Sequence, residues 1–126
     1  MSLMSKLSAY SPIEKEGRVC ITVPLVIYLN QSPLELEITE SGNSYTVCIP
    51  NNLFEDANES AEFYFDIFKR HFDGYYYEME QKNGIFQKTY NEEYSLLHAV
   101  NEFVRFAIIL DDFMMKNDVV GNEENF

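Results

Sequence analysis

The stretch Gln81-Lys82-Asn83-Gly84-Ile85-Phe86 decides the fold of this chain. An Asn-Gly pair favours the two-residue loop of a type I′ hairpin, because both central residues of that turn need a positive φ. With Asn83 and Gly84 as the loop, Lys82 lies opposite Ile85, and strict alternation sets the two faces of the hairpin. One face is predicted to enter the core and carries Tyr75, Tyr77, Met79, Phe86 and Tyr90. The other face carries Tyr76, Glu78, Glu80, Gln87 and Thr89.

Three further strands are predicted before this hairpin. Regular structure is expected to begin at Arg18, where residues 19–23 alternate in a strand-like way. Pro24 interrupts that run and marks an edge or a bulge, because proline cannot donate to a β-ladder. Residues 34–40 alternate apolar with acidic or hydroxyl side chains, and residues 45–49 form the next apolar run. The simplest arrangement of these strands is an antiparallel meander.

Two helices complete the pattern. The first is predicted from Asp56, which starts a weak capping box with Glu59, to a stop at Gly74. The second is predicted after Asn91, which is the expected N-cap. One stripe of this helix should face the core, and it consists of Leu96, Val100, Phe103, Ala107, Leu110 and Met114. A second stripe lies beside it and consists of Leu97, Val104, Ile108 and Met115.

These elements predict a single α+β domain. Its antiparallel sheet has about five strands with two helices packed on it, in the order βββαββα. Residues 1–17 are expected to form a flexible N-terminal arm, residues 18–116 the domain, and residues 117–126 an acidic C-terminal tail.

The net charge of the chain limits the classes of molecule that it can bind. Acidic residues outnumber basic residues by 21 to nine, which gives a net charge of −12. This charge disfavours direct binding to nucleic acid or an anionic membrane and favours a basic protein partner. The first ten residues show no apolar secretory core, and no apolar run is long enough to span a bilayer, so we expect a cytoplasmic location. Cys20 and Cys48 lie in strand-like apolar runs and are expected to be reduced, half-buried thiols.

Three groups of residues could support chemistry, and each also has a structural explanation. Glu80 and Lys82 resemble the acid-x-lysine triplet of metal-dependent nucleases, but they flank a hairpin tip that is normally solvated. Four glutamates could form a weak calcium ladder if their strands are neighbours, although a solvated sheet face explains them more simply. Pairing Cys20 or Cys48 with a histidine could give a nucleophile, but apolar surroundings make a thiol inert. No catalytic residue, metal or cofactor is therefore predicted, and the patterns favour a non-enzymatic role. The four glutamates of the possible ladder are Glu35, Glu37, Glu78 and Glu80.

The acidic surface is the best functional candidate in the sequence. Carboxylates spaced along a helix and a sheet can imitate phosphates or cover a cationic protein, with tyrosines as rigid anchors. The sequence thus predicts an acidic protein that sequesters or inhibits a basic protein partner, with a nucleic-acid mimic as one form of this role. The predicted partner-binding residues are Glu59, Glu62, Tyr64, Asp66, Tyr76, Glu78 and Glu80. The alternatives are a homodimeric interaction module built on residues 96–115, a divergent metal-dependent nuclease or hydrolase, and plain solubility.

Four short runs are distinctive: Ile21-Thr22-Val23-Pro24, residues 34–38, residues 45–49 and Leu96-Leu97-His98-Ala99-Val100-Asn101. In this order they resemble a family of small prophage-encoded proteins of unknown function, and the resemblance spans residues 18–115. It implies a mobile-element context and supplies no activity. The family's Asp-Asp-Gly turn after the third strand is replaced here by Pro50-Asn51-Asn52, so no role of those aspartates carries over.

Overall fold

A computed structural model describes residues 6–51, 53–54, 61–71, 80–82 and 85–117, with only the backbone described at residues 61 and 80–82. Within these residues the strands are β1 (Ile13–Lys15), β2 (Arg18–Ile27), β3 (Ser32–Ser41), β4 (Ser44–Cys48), β5 (Glu80–Lys82) and β6 (Ile85–Asn91). The helices are α1 (Ala61–His71) and α2 (Leu96–Lys116), and Ser8–Tyr10 form a 3₁₀ turn.

The strands form one antiparallel sheet in the order β1-β2-β3-β4-β6-β5. The two helices pack on one face of this sheet, where alternate residues of each central strand are buried. The predicted α+β class is confirmed, with one short strand, β1, added before the predicted meander. The pairing of β4 with β6 joins the meander and the hairpin into one continuous sheet.

The hairpin register agrees with the sequence prediction. Lys82 lies opposite Ile85, so the strands face each other as an Asn-Gly loop requires, while residues 83–84 themselves lie outside the described residues. Phe86 and Tyr90 are buried, as predicted for the core face of β6. Residues 75–79 of the predicted first strand also lie outside the described part of the chain.

Pro24 causes the predicted irregularity in β2. The pairing of β2 with β3 shifts between Val23 and Val26, so Pro24 and Leu25 form a bulge. β1 covers only residues 18–20 of the outer edge of β2, which leaves Pro24 beyond the paired part of that edge. The missing N–H of proline therefore falls where the ladder is already interrupted.

Regular structure begins before Arg18, where the sequence analysis placed its start. β1 pairs with β2 through the two-residue loop Glu16-Gly17, whose φ angles are 49° and 82°. Two positive φ angles are the signature of a type I′ loop, and glycine makes the second one inexpensive. Leu7 is fully buried in the core, so part of segment 1–17 belongs to the folded body.

Aromatic rings join α1 to the sheet and to α2. Phe65 and Phe68 are buried on α1, and the Phe86 ring lies 5.3 Å from the Phe65 ring and 4.9 Å from the Phe106 ring. Edge-to-face pairs at these distances add stability beyond the area that the rings bury. The predicted start of this helix at Asp56 and its stop at Gly74 lie outside the described residues.

The first stripe of α2 is confirmed, because all six of its residues are buried. The predicted N-cap Asn91 is wrong. Ser95 caps the helix instead, and its hydroxyl accepts the backbone N–H of His98 at 3.4 Å. Asn91 closes an Asx turn before the helix, where its Oδ1 accepts the Glu93 N–H at 2.9 Å. Neither α1 nor α2 has the length and apolarity of a membrane-crossing helix in the part of the chain that is described.

Candidate functional site

The structure describes the side chains of three of the seven predicted partner-binding residues. Glu62 and Asp66 are exposed on α1, and Tyr64 is half-buried between that surface and the core. Glu80 belongs to β5, where only the backbone is described. Glu59, Tyr76 and Glu78 lie outside the described residues. The predicted helical part of the surface is therefore present at Glu62 and Asp66, which are one helical turn apart.

An aromatic side chain that the sequence analysis did not select lies beside these carboxylates. Phe63 is 62% exposed, and its ring meets the Tyr64 ring edge-on at 5.2 Å. We call Glu62, Phe63 and Asp66 the acidic face of α1. The signal that could have found Phe63 is its position outside the buried α1 stripe, since a large ring there must be solvated or covered by a partner.

Basic side chains in the last turns of α1 partly neutralise the negative charge of this face. Lys69 Nζ lies 3.3 Å from Asp66 Oδ1, and Arg70 Nε donates to the Asp66 carbonyl oxygen at 3.3 Å. Both the Lys69 and the Asp66 side chains are more than half exposed, so the pair is weak. A cationic partner could displace Lys69 from Asp66 at little cost.

The possible glutamate ladder requires β3 and β5 to be neighbouring strands, and they are not. β3 and β5 are separated by β4 and β6, so Glu37 and Glu80 occupy the same row across the sheet but not neighbouring strands. Three interstrand spacings place their backbones about 14 Å apart. Glu37 is also held by Arg18, whose Nη1 lies 2.8 Å from its Oε1. The idea of neighbouring glutamate strands is therefore wrong.

Both cysteines lie in that same row, on either side of Glu37. They are free thiols. Their strands are two interstrand spacings apart, about 10 Å in total, which is too far for a disulfide. Burial raises the pKa of the Cys48 thiol to about 11, with a further contribution from the Glu37 charge. A thiol with this pKa is protonated at neutral pH, so Cys48 is a poor nucleophile.

The densest group of polar contacts surrounds Glu102 on the inner side of the sheet. Lys88 Nζ lies 2.6 Å from Glu102 Oε1, and the Tyr90 hydroxyl donates to the same oxygen at 3.1 Å. The Tyr94 hydroxyl donates to Oε2 at 3.4 Å. Tyr45 stacks on Tyr90, and its hydroxyl donates to the Tyr94 carbonyl oxygen at 2.8 Å. This group ties β4 and β6 to α2.

The electrostatics of the Glu102 group favour a structural role. Burial, followed by the negative charge of Glu102, raises the pKa of Tyr90 far above its ordinary value. Burial also raises the pKa of Tyr45 to about 12. Both phenols are neutral donors at physiological pH, and the Glu102 carboxylate already accepts hydrogen bonds on both oxygens. A base engaged in this way is poorly placed to remove a proton from a substrate.

A groove lies between the end of β2 and the second half of α2. Its volume is about 350 Å³, and its lining consists of Leu25, Val26, Ile27, Tyr28, Ile108, Asp111, Asp112 and Met115. Asp111 is only 7% exposed, and its carboxylate accepts the backbone N–H groups of Tyr28 and Leu29 at 3.0 and 2.9 Å. These bonds fix the β2–β3 loop against α2. The groove is thus largely apolar, and each oxygen of its buried carboxylate already accepts a backbone N–H.

No group of three or more histidine, cysteine or acidic side chains is placed to hold a metal ion among the residues whose structure is described. His98 lies on the first turn of α2, where its ring is 6.3 Å from the Tyr94 ring. Glu80 and Lys82 flank the hairpin loop as expected, but their side chains are not described.

Comparison with known proteins found no matching family model, no matching curated protein and no matching solved structure. The resemblance to small prophage-encoded proteins therefore stays a prediction.

Proposed function

We propose that this chain is a non-enzymatic acidic binding protein that sequesters or inhibits a basic protein partner. One observation carries the proposal: the acidic face of α1 presents Glu62 and Asp66 to solvent beside an exposed phenylalanine, in a chain of net charge −12. The carboxylates of this face can bind the charged group of a basic side chain, and the phenylalanine ring can pack against its aliphatic stem.

Each part of the face suits a lysine or arginine side chain. The aliphatic stem of such a side chain covers apolar surface while its charged head stays near water. Phe63 provides that apolar surface, and its ring face also attracts a cation. Glu62 and Asp66 then accept charge-assisted hydrogen bonds, which are stronger than bonds between neutral groups.

The net charge acts on a longer range than these contacts. A strongly negative protein attracts a basic partner before contact and raises the association rate, with the effect falling as salt is added. We propose that Glu59, Tyr64, Tyr76, Glu78 and Glu80 extend the contact surface beyond the acidic face of α1. If the partner binds nucleic acid, the carboxylates would occupy the positions of phosphates, in keeping with the mobile-element context that the resemblance implies.

The test uses a charge-reversed variant and a control with the same net charge. Glu62→Lys with Asp66→Lys reverses the acidic face, while Glu92→Lys with Glu93→Lys changes two exposed residues of the β6–α2 loop. Basic proteins captured from a host lysate at low salt should be lost from the first variant and retained by the second.

Two results would count against this function. Equal losses from both variants would mean that net charge alone, and not the acidic face of α1, attracts the captured proteins. Capture that is unchanged between low and high salt would mean that electrostatic recognition is not the mechanism. Phe63→Ala separates the role of the ring, because it leaves every charge in place.

A further inference from the structure

We infer that the chain forms a two-fold symmetric dimer through the outward face of α2, with Arg105 of each copy paired with Asp112 of the other. This inference uses a surface distant in sequence from the acidic face of α1 and does not depend on the proposed function. It gives a specific geometry to the predicted homodimer surface within residues 96–115.

The first support is apolar surface that the fold leaves uncovered. Leu97, Ile108 and Met115 of the second α2 stripe are exposed, with Ile108 at 46%, whereas the six residues of the first stripe are all buried. Their spacing of eleven and then seven residues keeps them on one side of a helix with 3.6 residues per turn. Tyr28, 61% exposed, continues this surface across the groove that it lines with Ile108 and Met115. The uncovered apolar surface is therefore continuous over two elements.

The second support is the position of the charges beside that stripe. Arg105 and Asp112 are both exposed and lie seven residues apart, which places them on the same flank of α2 about 10.5 Å apart along its axis. Within one chain this separation prevents a direct pair. Asp112 is instead 2.9 Å from Lys116 in an exposed ion pair, which is readily rearranged.

A second copy is the occupant that these charges select. When two antiparallel helices are related by a two-fold axis, like flanks meet, and residues equally far from the axis on either side come together. An axis between residues 108 and 109 brings Arg105 of one copy to Asp112 of the other, and it does so twice. The same axis brings the two Ile108 side chains together and sets each Met115 level with residue 102 of the other copy, while Leu97 lies beyond the overlapping part of the two helices. The face is therefore complementary to itself in both charge and apolar surface.

Sedimentation velocity of the full chain tests this geometry with four proteins. The wild type should dimerise at concentrations up to about 100 μM. Arg105→Asp and Asp112→Arg should each weaken the dimer about tenfold or more, because each substitution places two pairs of like charges at the interface. The double variant Arg105→Asp with Asp112→Arg should restore dimerisation, since it exchanges the charges within each pair. Circular dichroism should show equal folding of all four, because both positions are exposed.

Matched controls separate the interface from general charge effects. Arg70→Asp and Asp66→Arg make the same charge changes at exposed positions of α1 and should leave the dimer unchanged. A wild type that remains monomeric over this concentration range overturns the inference. A dimer that survives both single α2 variants, or that the double variant fails to restore, overturns it as well.

Discussion

Replacing Asp111 with alanine should destabilise the protein more than removing an exposed carboxylate would, because Asp111 is buried. The two oxygens of this carboxylate accept the backbone N–H groups of Tyr28 and Leu29 at 3.0 and 2.9 Å. Leu29 is fully buried and Asp111 is 7% exposed, so water cannot easily replace the lost acceptor. The variant would leave one buried and one partly buried donor without a partner.

The size of the effect follows from those two donors. An unsatisfied buried donor costs about 1–3 kcal/mol, and a partly buried donor recovers some of that through water. We therefore expect Asp111→Ala to lower the free energy of unfolding by about 2–4 kcal/mol. Asp111→Asn keeps one oxygen as an acceptor and should lose roughly half as much. Against a typical domain stability of about 5–15 kcal/mol, either loss is measurable.

Urea unfolding followed by far-ultraviolet circular dichroism measures both values. On dilute protein, below the concentrations at which the α2 dimer forms, the neighbouring substitution Asp112→Ala is the control, because Asp112 is exposed and within one chain pairs only with the exposed Lys116 among the described residues, at 2.9 Å. It should cost less than about 0.5 kcal/mol. If Asp111→Ala is as mild as Asp112→Ala, the carboxylate does not anchor the β2–β3 loop and the reasoning fails.

Three further predictions concern Cys48 and Tyr45 of β4 and Glu102 of α2. In a Cys20→Ser background, the rate of Cys48 alkylation by iodoacetamide should keep rising up to pH 11, since the pKa of Cys48 is raised to about 11; a plateau below pH 9 would contradict this. Burial raises the pKa of Tyr45 to about 12 from its ordinary value of 10.0, so the stabilising contribution of the neutral phenol is complete below pH 10 and is lost as the pH rises through 12. The fall in unfolding free energy over this window should therefore be smaller in Tyr45→Phe than in the wild type, and equal slopes would refute the assignment. Glu102→Gln should lower stability by about 1–2 kcal/mol because it breaks the half-buried ion pair with Lys88, whereas a loss equal to that of an exposed pair would show that the group is solvated.

Local sequence signals predicted much of the sheet because they act on neighbouring residues. The Asn83-Gly84 pair fixed a register that the structure confirms at Lys82 and Ile85. Pro24 predicted a bulge because its missing N–H is incompatible with a continuous ladder wherever the strand lies. The buried stripe of α2 followed from spacing alone, since a 3.6-residue period leaves little choice of face.

The errors arise where a local signal is weak or has a competitor nearby, and where the outcome depends on distant residues. Ser95 caps α2 in place of Asn91 because residues 91–94 turn around the Asn91 side chain before the helix begins. β1 was missed because Glu16-Gly17 lacks the Asn or Asp that usually leads a type I′ loop. Asp111 lies four residues after the buried Ala107, so the helical period could have placed it inside. Nothing local, however, shows that the N–H groups of a loop more than 80 residues earlier would meet it.

The two associations proposed for this protein should respond to salt in opposite directions. Two copies of net charge −12 whose centres lie about 35 Å apart repel each other by roughly 5 kcal/mol at 0.01 M salt. At 0.15 M the same repulsion falls below about 1 kcal/mol, because the separation is then several Debye lengths. The Arg105 and Asp112 contacts are short and lose less from screening, so the α2 dimer should strengthen as salt is raised over this range. Binding of a basic partner to the acidic face of α1 depends on long-range electrostatic attraction, which salt also screens. This binding should therefore weaken as salt is raised over the same range. A salt titration of one preparation therefore distinguishes self-association through α2 from capture of a cationic protein, even if both occur together.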